Sequence, residues 1–119
     1  MAILTREQIL ATDGLVREVV SVPEWGGEVL VQEFTAAQRD RFEQMMIEQR
    51  SGKVEANLSN FRAKLAAACM VDEDGKGLFS DLDVEALGNQ SARALQRVVD
   101  VAMRINALSE QDVEDLTKN

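Results

Sequence analysis

The chain has two short runs of β-branched and aliphatic residues near its start, at residues 19–22 and 29–31. They flank residues 23–27, which contain a proline, two adjacent glycines and the only tryptophan, Trp25. β-Branched residues favour strands, whereas proline and glycine favour turns. The pattern therefore predicts a β-hairpin over residues 17–33 with Trp25 at its turn.

Helix starts are marked by a hydroxyl residue with a glutamine or an acid three residues later. In such a pair each side chain accepts a hydrogen bond from the other residue's backbone N–H, which satisfies amides that a helix leaves without partners. The pairs are Thr5 with Gln8, Thr35 with Gln38, Ser80 with Asp83 and Ser109 with Asp112. We therefore expect a short first helix that ends near Thr12, and further helices that begin at the other three positions.

Longer stretches repeat apolar residues at steps of three and four, which is the spacing of one helix face. This spacing predicts three long helices, over residues 36–50, 54–70 and 91–107, and a tight acidic turn over residues 72–77. Gly52 separates the first two helices. The expected core stripes are Leu58, Phe61, Leu65 and Cys69 in the second helix, and Leu95, Val98, Val99, Ala102 and Ile105 in the third.

These elements predict a mainly α (α+β) fold with about three long helices, two or three short ones and one N-terminal hairpin. A length of 119 residues with 45% hydrophobic content suits one domain. Within it we expect an N-terminal helix in residues 1–14, the hairpin in 17–33 and a helical core in 35–119. An isolated hairpin is marginal in water, so this one must pack on the helices or on a neighbouring molecule.

Charge separates the two halves of the chain. The net charge is −8, of which residues 1–70 contribute −2 and residues 71–119 contribute −6. A surface of this sign repels phosphate backbones, so we expect no nucleic-acid partner. The acidic half is either a solvated face that keeps the protein soluble or a docking surface for a basic partner.

The residues typical of catalysis and of metal binding are scarce. The chain has no histidine and no tyrosine, so Cys69 has no usual activating base and is expected to be a buried packing residue. Residues 72–77 resemble a calcium loop in composition, but the register would begin the loop at Met70 or place Lys76 in the cation site. We therefore expect no catalytic residue, no bound metal and no cofactor.

Membrane and secretion signals are also missing from the sequence. No run of about 18 apolar residues occurs, and the first residues do not form a charged and apolar leader. One cysteine excludes an internal disulfide. These features predict a cytoplasmic protein without a membrane partner.

Met45, Met46 and Ile47 are consecutive, and on a helix they cannot all face one core. At least one is therefore exposed or used in a contact, and methionine suits adaptable binding surfaces. Trp25 either folds back over the helices or anchors a partner. The candidate partner contacts are Trp25, Phe34, Met45, Met46 and Met103.

The order of these motifs resembles a known family. Residues 22–29 (VPEWGGEV) and 32–43 (QEFTAAQRDRFE), followed by 71–75, 78–81 and 83–88, are similar to the tail assembly chaperones of long-tailed bacteriophages. The order of helix, hairpin, helices, acidic turn and helices covers nearly the whole chain. No single motif is specific, so the resemblance rests on their order and spacing.

The resemblance implies a non-catalytic morphogenesis factor. Such proteins bind the long, largely helical tape measure protein, keep it soluble and help to bring tail tube protein to it, and they are absent from the finished virion. A longer product of ribosomal frameshifting commonly contacts the tube protein. The resemblance also implies work in the host cell cytoplasm, and many copies on one tape measure make a homo-oligomer reasonable, through hairpin edges or helix faces.

A second class of protein remains open at this point. An acidic regulatory or adaptor protein of the DNA-mimic type would sequester a basic partner. It would carry its acids along one long stripe, and salt would abolish its binding.

Overall fold

The computed structural model describes residues 3–12, 14–50, 53–56 and 60–108. Short 3-10 turns lie at Pro23–Trp25 and Asp81–Asp83. In chain order the helices and strands are α1 (Arg6–Leu10), β1 (Arg17–Val22), β2 (Gly27–Gln32), α2 (Ala36–Met45), β3 (Ile47–Arg50), β4 (Lys53–Ala56), α3 (Phe61–Cys69), β5 (Met70–Val71), α4 (Val84–Gly88) and α5 (Ala92–Ile105). The predicted mainly α (α+β) class is confirmed.

The predicted N-terminal hairpin is confirmed, and a third strand extends it. β1 pairs with β2 from Arg17 opposite Gln32 to Val22 opposite Gly27, and β5 pairs antiparallel with the other edge of β2. Gly26 closes the turn in the left-handed region, with a φ of 75°, where glycine is favoured. Because side chains alternate between the two faces of a strand, Val20 and Val22 are buried while Val19 is exposed.

Two helices supply half of the buried apolar residues in the described part of the chain. α5 packs on β1, β2 and α3, and the predicted third long helix is thereby confirmed with bounds one or two residues inside the expected ones. α3 buries small side chains, which let the two helices approach closely. The buried residues of the pair are Ala63, Leu65, Ala66, Ala67, Cys69, Ala94, Leu95, Val98, Val99 and Ala102.

Three of the four predicted helix starts are confirmed by reciprocal hydrogen bonds. Thr35 Oγ1 accepts from the N–H of Gln38 at 3.1 Å, and Gln38 Oε1 accepts from the N–H of Thr35 at 2.9 Å. The same exchange occurs at Thr5. At Ser80 the Asp83 carboxylate accepts from the N–H of Ser80, while the Ser80 hydroxyl accepts from the N–H of Leu82. The fourth predicted start, at Ser109, lies outside the described residues.

The first two predicted long helices were wrong in their bounds. α2 ends at Met45, and the chain continues into a second antiparallel hairpin with Ile47 opposite Ala56 and Arg50 opposite Lys53. α3 begins only at Phe61, after Asn60 in the left-handed region. The two four-residue strands pair with each other, so their backbone N–H and C=O groups find hydrogen-bond partners within the hairpin. The short apolar pattern of this segment did not distinguish strand from helix.

The acidic turn over residues 72–77 is confirmed. The N–H of Asp72 donates to the carbonyl of Lys76 at 2.7 Å, and the Asp72 carboxylate accepts from the N–H groups of Asp74 and Lys76. Gly75 has a φ of 83°, and a Cβ there would collide with the guanidinium of Arg17. The carboxylate of Asp72 therefore stabilises the turn itself.

Candidate partner-binding surface

An apolar groove lies beside the turn of the first hairpin, between that turn and α4. We call it the Trp25 groove, and it has a volume of about 340 Å³. Asp83 and Gln90 are the polar members of its lining. The apolar lining residues are Trp25, Val29, Met70, Leu78, Phe79, Ala86 and Leu87.

The turn that carries Trp25 is fixed to α5. Pro23 begins the 3-10 turn, and its carbonyl accepts from the N–H of Gly26 at 3.0 Å. Arg97 of α5 donates from Nε to Glu24 Oε1 at 2.8 Å and from Nη2 to Oε2 at 3.1 Å. This bidentate contact lowers the pKa of the Glu24 carboxyl and raises the pKa of the Arg97 guanidinium. The indole is therefore held half-buried at one wall of the groove.

The opposite rim of the groove is apolar and uncovered. Leu78 is 48% exposed and Phe79 is 37% exposed, and Leu82, which follows them on the 3-10 turn, is 92% exposed. The Ser80 cap fixes the direction of this segment, because the Ser80 hydroxyl accepts from the N–H of Leu82. Exposed apolar residues that adjoin an apolar groove are typical of a protein-binding surface.

A second depression shares Phe79 with the groove. We call it the Met45 depression, and its volume is also about 340 Å³. Its polar members, Gln38, Arg41, Ser80 and Asp81, make it more polar than the Trp25 groove. Its remaining lining residues are Phe34, Phe42, Met45, Ala67, Ala68, Gly77 and Phe79. Phe34 and Phe42 stack with their ring centres 5.4 Å apart.

No reactive centre is evident in the part of the chain that the structure describes. Burial raises the pKa of the Cys69 thiol to about 12, so it stays protonated at neutral pH. No three His, Cys, Asp or Glu residues among those described could together hold a metal ion. Within the same ranges, no helix has the length and apolar character to span a membrane. The geometry of this surface suits binding.

The family profile of the phage tail assembly chaperones matches residues 5–119. This chain belongs to the phage tail assembly chaperone family. Its fold is also that of a solved structure described as the bacteriophage HK97 tail assembly chaperone, with a TM-score of 0.58 and 20% identity. That match covers 87% of this chain and 95% of the other. No curated protein matches this chain. A chaperone of phage assembly acts in the infected host cell.

The structure distributes the predicted contacts of this tail assembly chaperone over three environments. Trp25 lines the groove, and Phe34 and Met45 meet in the Met45 depression. Met46 is fully buried and Phe34 is 8% exposed, so both side chains pack in the core. Met103 is half-buried on α5 and packs against the core. Partner contacts for these residues stay a prediction.

Leu78 and Phe79 were not among the predicted contacts; the structure places Leu78 in the lining of the Trp25 groove and Phe79 in the lining of both concave surfaces. A signal was present, because two adjacent large apolar residues precede the Ser80 cap directly. Such residues at a helix entry normally pack against the first turns as a hydrophobic staple. Only the tertiary arrangement reveals that they remain exposed.

Proposed function

We propose that this protein binds the tape measure protein of its phage and keeps it soluble before tail assembly, without catalysing a reaction. The observation that carries the proposal is the match of the tail assembly chaperone family over residues 5–119. A tape measure is expected to expose a long apolar helical surface. A chaperone for it needs uncovered apolar surface of its own.

The Met45 depression is the surface that we assign to the tape measure. Met45, Phe34 and Phe79 line it and can contact the apolar face of a helix. Arg41 and Asp81 also line it and offer charges of both signs to the polar flanks of that helix. A half-buried methionine can adjust its shape to successive, non-identical segments of a long partner.

The remaining parts of the proposal concern assembly. We propose that the protein helps to recruit tail tube subunits, that a longer product of ribosomal frameshifting makes this contact, and that several copies act together as a homo-oligomer. The site of action would be the host cytoplasm. Trp25 and Met103 remain further candidate contacts, because both are only half-buried.

Co-expression with the tape measure protein of the same genome tests the proposal. We expect the tape measure, insoluble by itself, to become soluble and to co-purify with this chain. A tape measure that stays insoluble beside abundant folded chaperone would contradict the proposal.

A matched pair of variants tests the assigned surface. Met45→Glu places a charge in the depression, and we expect it to reduce co-purified tape measure by at least about tenfold, equivalent to 1.4 kcal/mol. Gln44→Glu adds the same charge at the neighbouring exposed position of α2 and is expected to bind as the unchanged protein does. Equal binding by both variants would exclude the Met45 depression as the site.

A further inference from the structure

The first helix of the chain is well capped but buries nothing. Thr5 and Gln8 exchange hydrogen bonds of 2.9 and 3.2 Å, and every residue from 3 to 12 is exposed. We call residues 3–12 the N-terminal arm. Ile3 is 95% exposed and Leu10 is 67% exposed, and Leu4 and Ile9 are also more than half exposed. A helix of this length is marginal by itself in water, so its apolar side chains call for a covering surface.

The exposed large apolar side chains of the described residues fall into two stretches. The first is residues 3–19, which include the N-terminal arm, and the second is residues 78–82, of which Leu78 and Phe79 line the Trp25 groove. The arm offers apolar side chains on a narrow helix, and the groove offers an apolar concave surface. The groove could therefore cover the apolar side chains that the arm leaves exposed.

One charged residue of the arm is complementary to the groove. Asp83 lines the groove, and Asp81 and Glu85 lie two residues from it in the sequence, where both are exposed. Arg6 is the basic residue of the arm; its guanidinium lies 3.7 Å from the carboxylate of the neighbouring Glu7, and both side chains are largely exposed. An arm in the groove would bring the Arg6 guanidinium towards these carboxylates.

The arm and the groove of one molecule do not meet. No arm residue lines the groove. Pairing of the hairpin continues to Val16, whose N–H donates to the Glu33 carboxylate at 2.9 Å and whose carbonyl accepts from the N–H of Glu33 at 2.9 Å. The chain therefore enters the hairpin at the end away from the turn that carries Trp25. The exposed arm precedes that end of the hairpin in the chain.

We propose that the N-terminal arm of one copy of this chain docks in the Trp25 groove of a second copy. Ile9 and Leu10 would contact Trp25, Phe79 and Leu87, and Arg6 would face the acidic rim. The contact joins two different surfaces, so each added copy leaves one arm and one groove free, and copies can be added in series. This inference specifies the self-association within the proposed function, but it requires no tape measure.

Two complementary variants of the full chain test the contact. The arm variant carries Ile9→Glu and Leu10→Glu, and the groove variant carries Ala86→Arg, which fills the groove at an exposed position. We expect the unchanged chain to gain mass with concentration in sedimentation equilibrium. Each variant alone should self-associate at least about tenfold more weakly. An equimolar mixture should form only a one-to-one dimer, because one intact arm meets one intact groove.

Controls separate this contact from other forms of association. Ala37→Arg makes the same substitution at an exposed position of α2 outside the groove and should associate as the unchanged chain does. A second arm variant, Ile9→Ser with Leu10→Ser, should repeat the result of the first without adding charge. The inference is overturned if the unchanged chain stays monomeric, if either variant associates normally, or if the mixture fails to dimerise. Since tape measure is absent from every sample, these outcomes leave the proposed binding of that protein untouched.

Discussion

At the scale of single residues, two adjacent methionines have different surroundings. Met46 is fully buried where α2 ends, whereas Met45 is only half-buried and lines the Met45 depression. The sequence indicated only that three consecutive apolar residues could not share one core. The end of α2 decides the division, because the chain turns into β3 directly after Met46.

Replacement of these methionines should separate stability from binding. Met46→Ala removes a fully buried side chain and should lower the free energy of unfolding by about 2–5 kcal/mol. Met45→Ala should lower it by less than about 1 kcal/mol, since its side chain is only half-buried. Urea denaturation of both variants measures the difference. Equal losses would show that Met45 belongs to the core as much as Met46 does.

Asn106 is a second residue whose role depends on distant partners. Its Oδ1 accepts from the N–H of Phe34 at 2.8 Å, and its Nδ2 donates to the carbonyl of Ala102 at 2.9 Å and contacts Cys69 Sγ at 3.7 Å. One buried amide thereby connects the end of β2 with α3 and α5. A polar side chain in such a place is tolerated because its donors and acceptor are satisfied.

At the scale of elements, ion pairs join the first hairpin to α5. Arg97 holds the turn through Glu24, and Arg104 contacts Glu18 of β1. Glu18 lies near the start of β1, and Glu24 lies just after its end. The two pairs orient the hairpin on the helix, and the Arg97 pair positions the wall of the Trp25 groove.

The Glu24 contact predicts a dependence of stability on acid. A carboxyl whose pKa is lowered by folding stabilises the folded state above its unfolded pKa, about 4.3, and the stabilisation is lost as pH falls through the folded pKa. Between pH 7 and pH 3, Glu24→Gln should therefore show a smaller drop in melting temperature than the unchanged chain. Glu28→Gln changes an exposed carboxyl of β2 and serves as the control. A drop as large in Glu24→Gln as in the control would contradict the role of the pair.

At the scale of the whole molecule, the sheet and the later helices share one core, and the N-terminal arm contributes no buried side chain to it. Several acids have local structural uses: Asp72 in its turn, Asp83 in a helix cap, and Glu18 and Glu24 in pairs with α5. These acids therefore have structural roles in separate parts of the fold. A DNA mimic would instead align its acids along one stripe. The uncovered apolar surfaces favour a partner with an apolar surface over a strongly basic one.

The separation of arm and core predicts how stability responds to concentration. In dilute solution, Ile9→Ala with Leu10→Ala should change the free energy of unfolding by less than about 0.5 kcal/mol, because both side chains are exposed. Association stabilises the folded state by mass action. The melting temperature of the unchanged chain should therefore rise with concentration, and that of the variant should not. The stabilisation by association should grow by on the order of 1 kcal/mol for each tenfold rise in concentration. Calorimetry over a hundredfold concentration range measures the contrast between the two proteins.

Local features of the fold were predictable from the sequence. The first hairpin, the caps at Thr5, Thr35 and Ser80, the acidic turn and α5 are encoded by residues only a few positions apart. Caps and turns use hydrogen bonds within three or four residues, and α5 carries a long, regular apolar stripe. The family resemblance rested on the order of the same local features.

Other features depended on the tertiary structure, because contacts between distant residues decide them. β5 joins the sheet through a pairing of Met70 with Val31, and the second hairpin replaced predicted helix where a short apolar pattern fitted both. The candidate surface shows the same division. Trp25 and Met45 stood out by residue type, but only packing buried Met46 and left Phe79 between the two concave surfaces. Residue type determines what a side chain can contact, and the packing of distant elements determines whether it stays available.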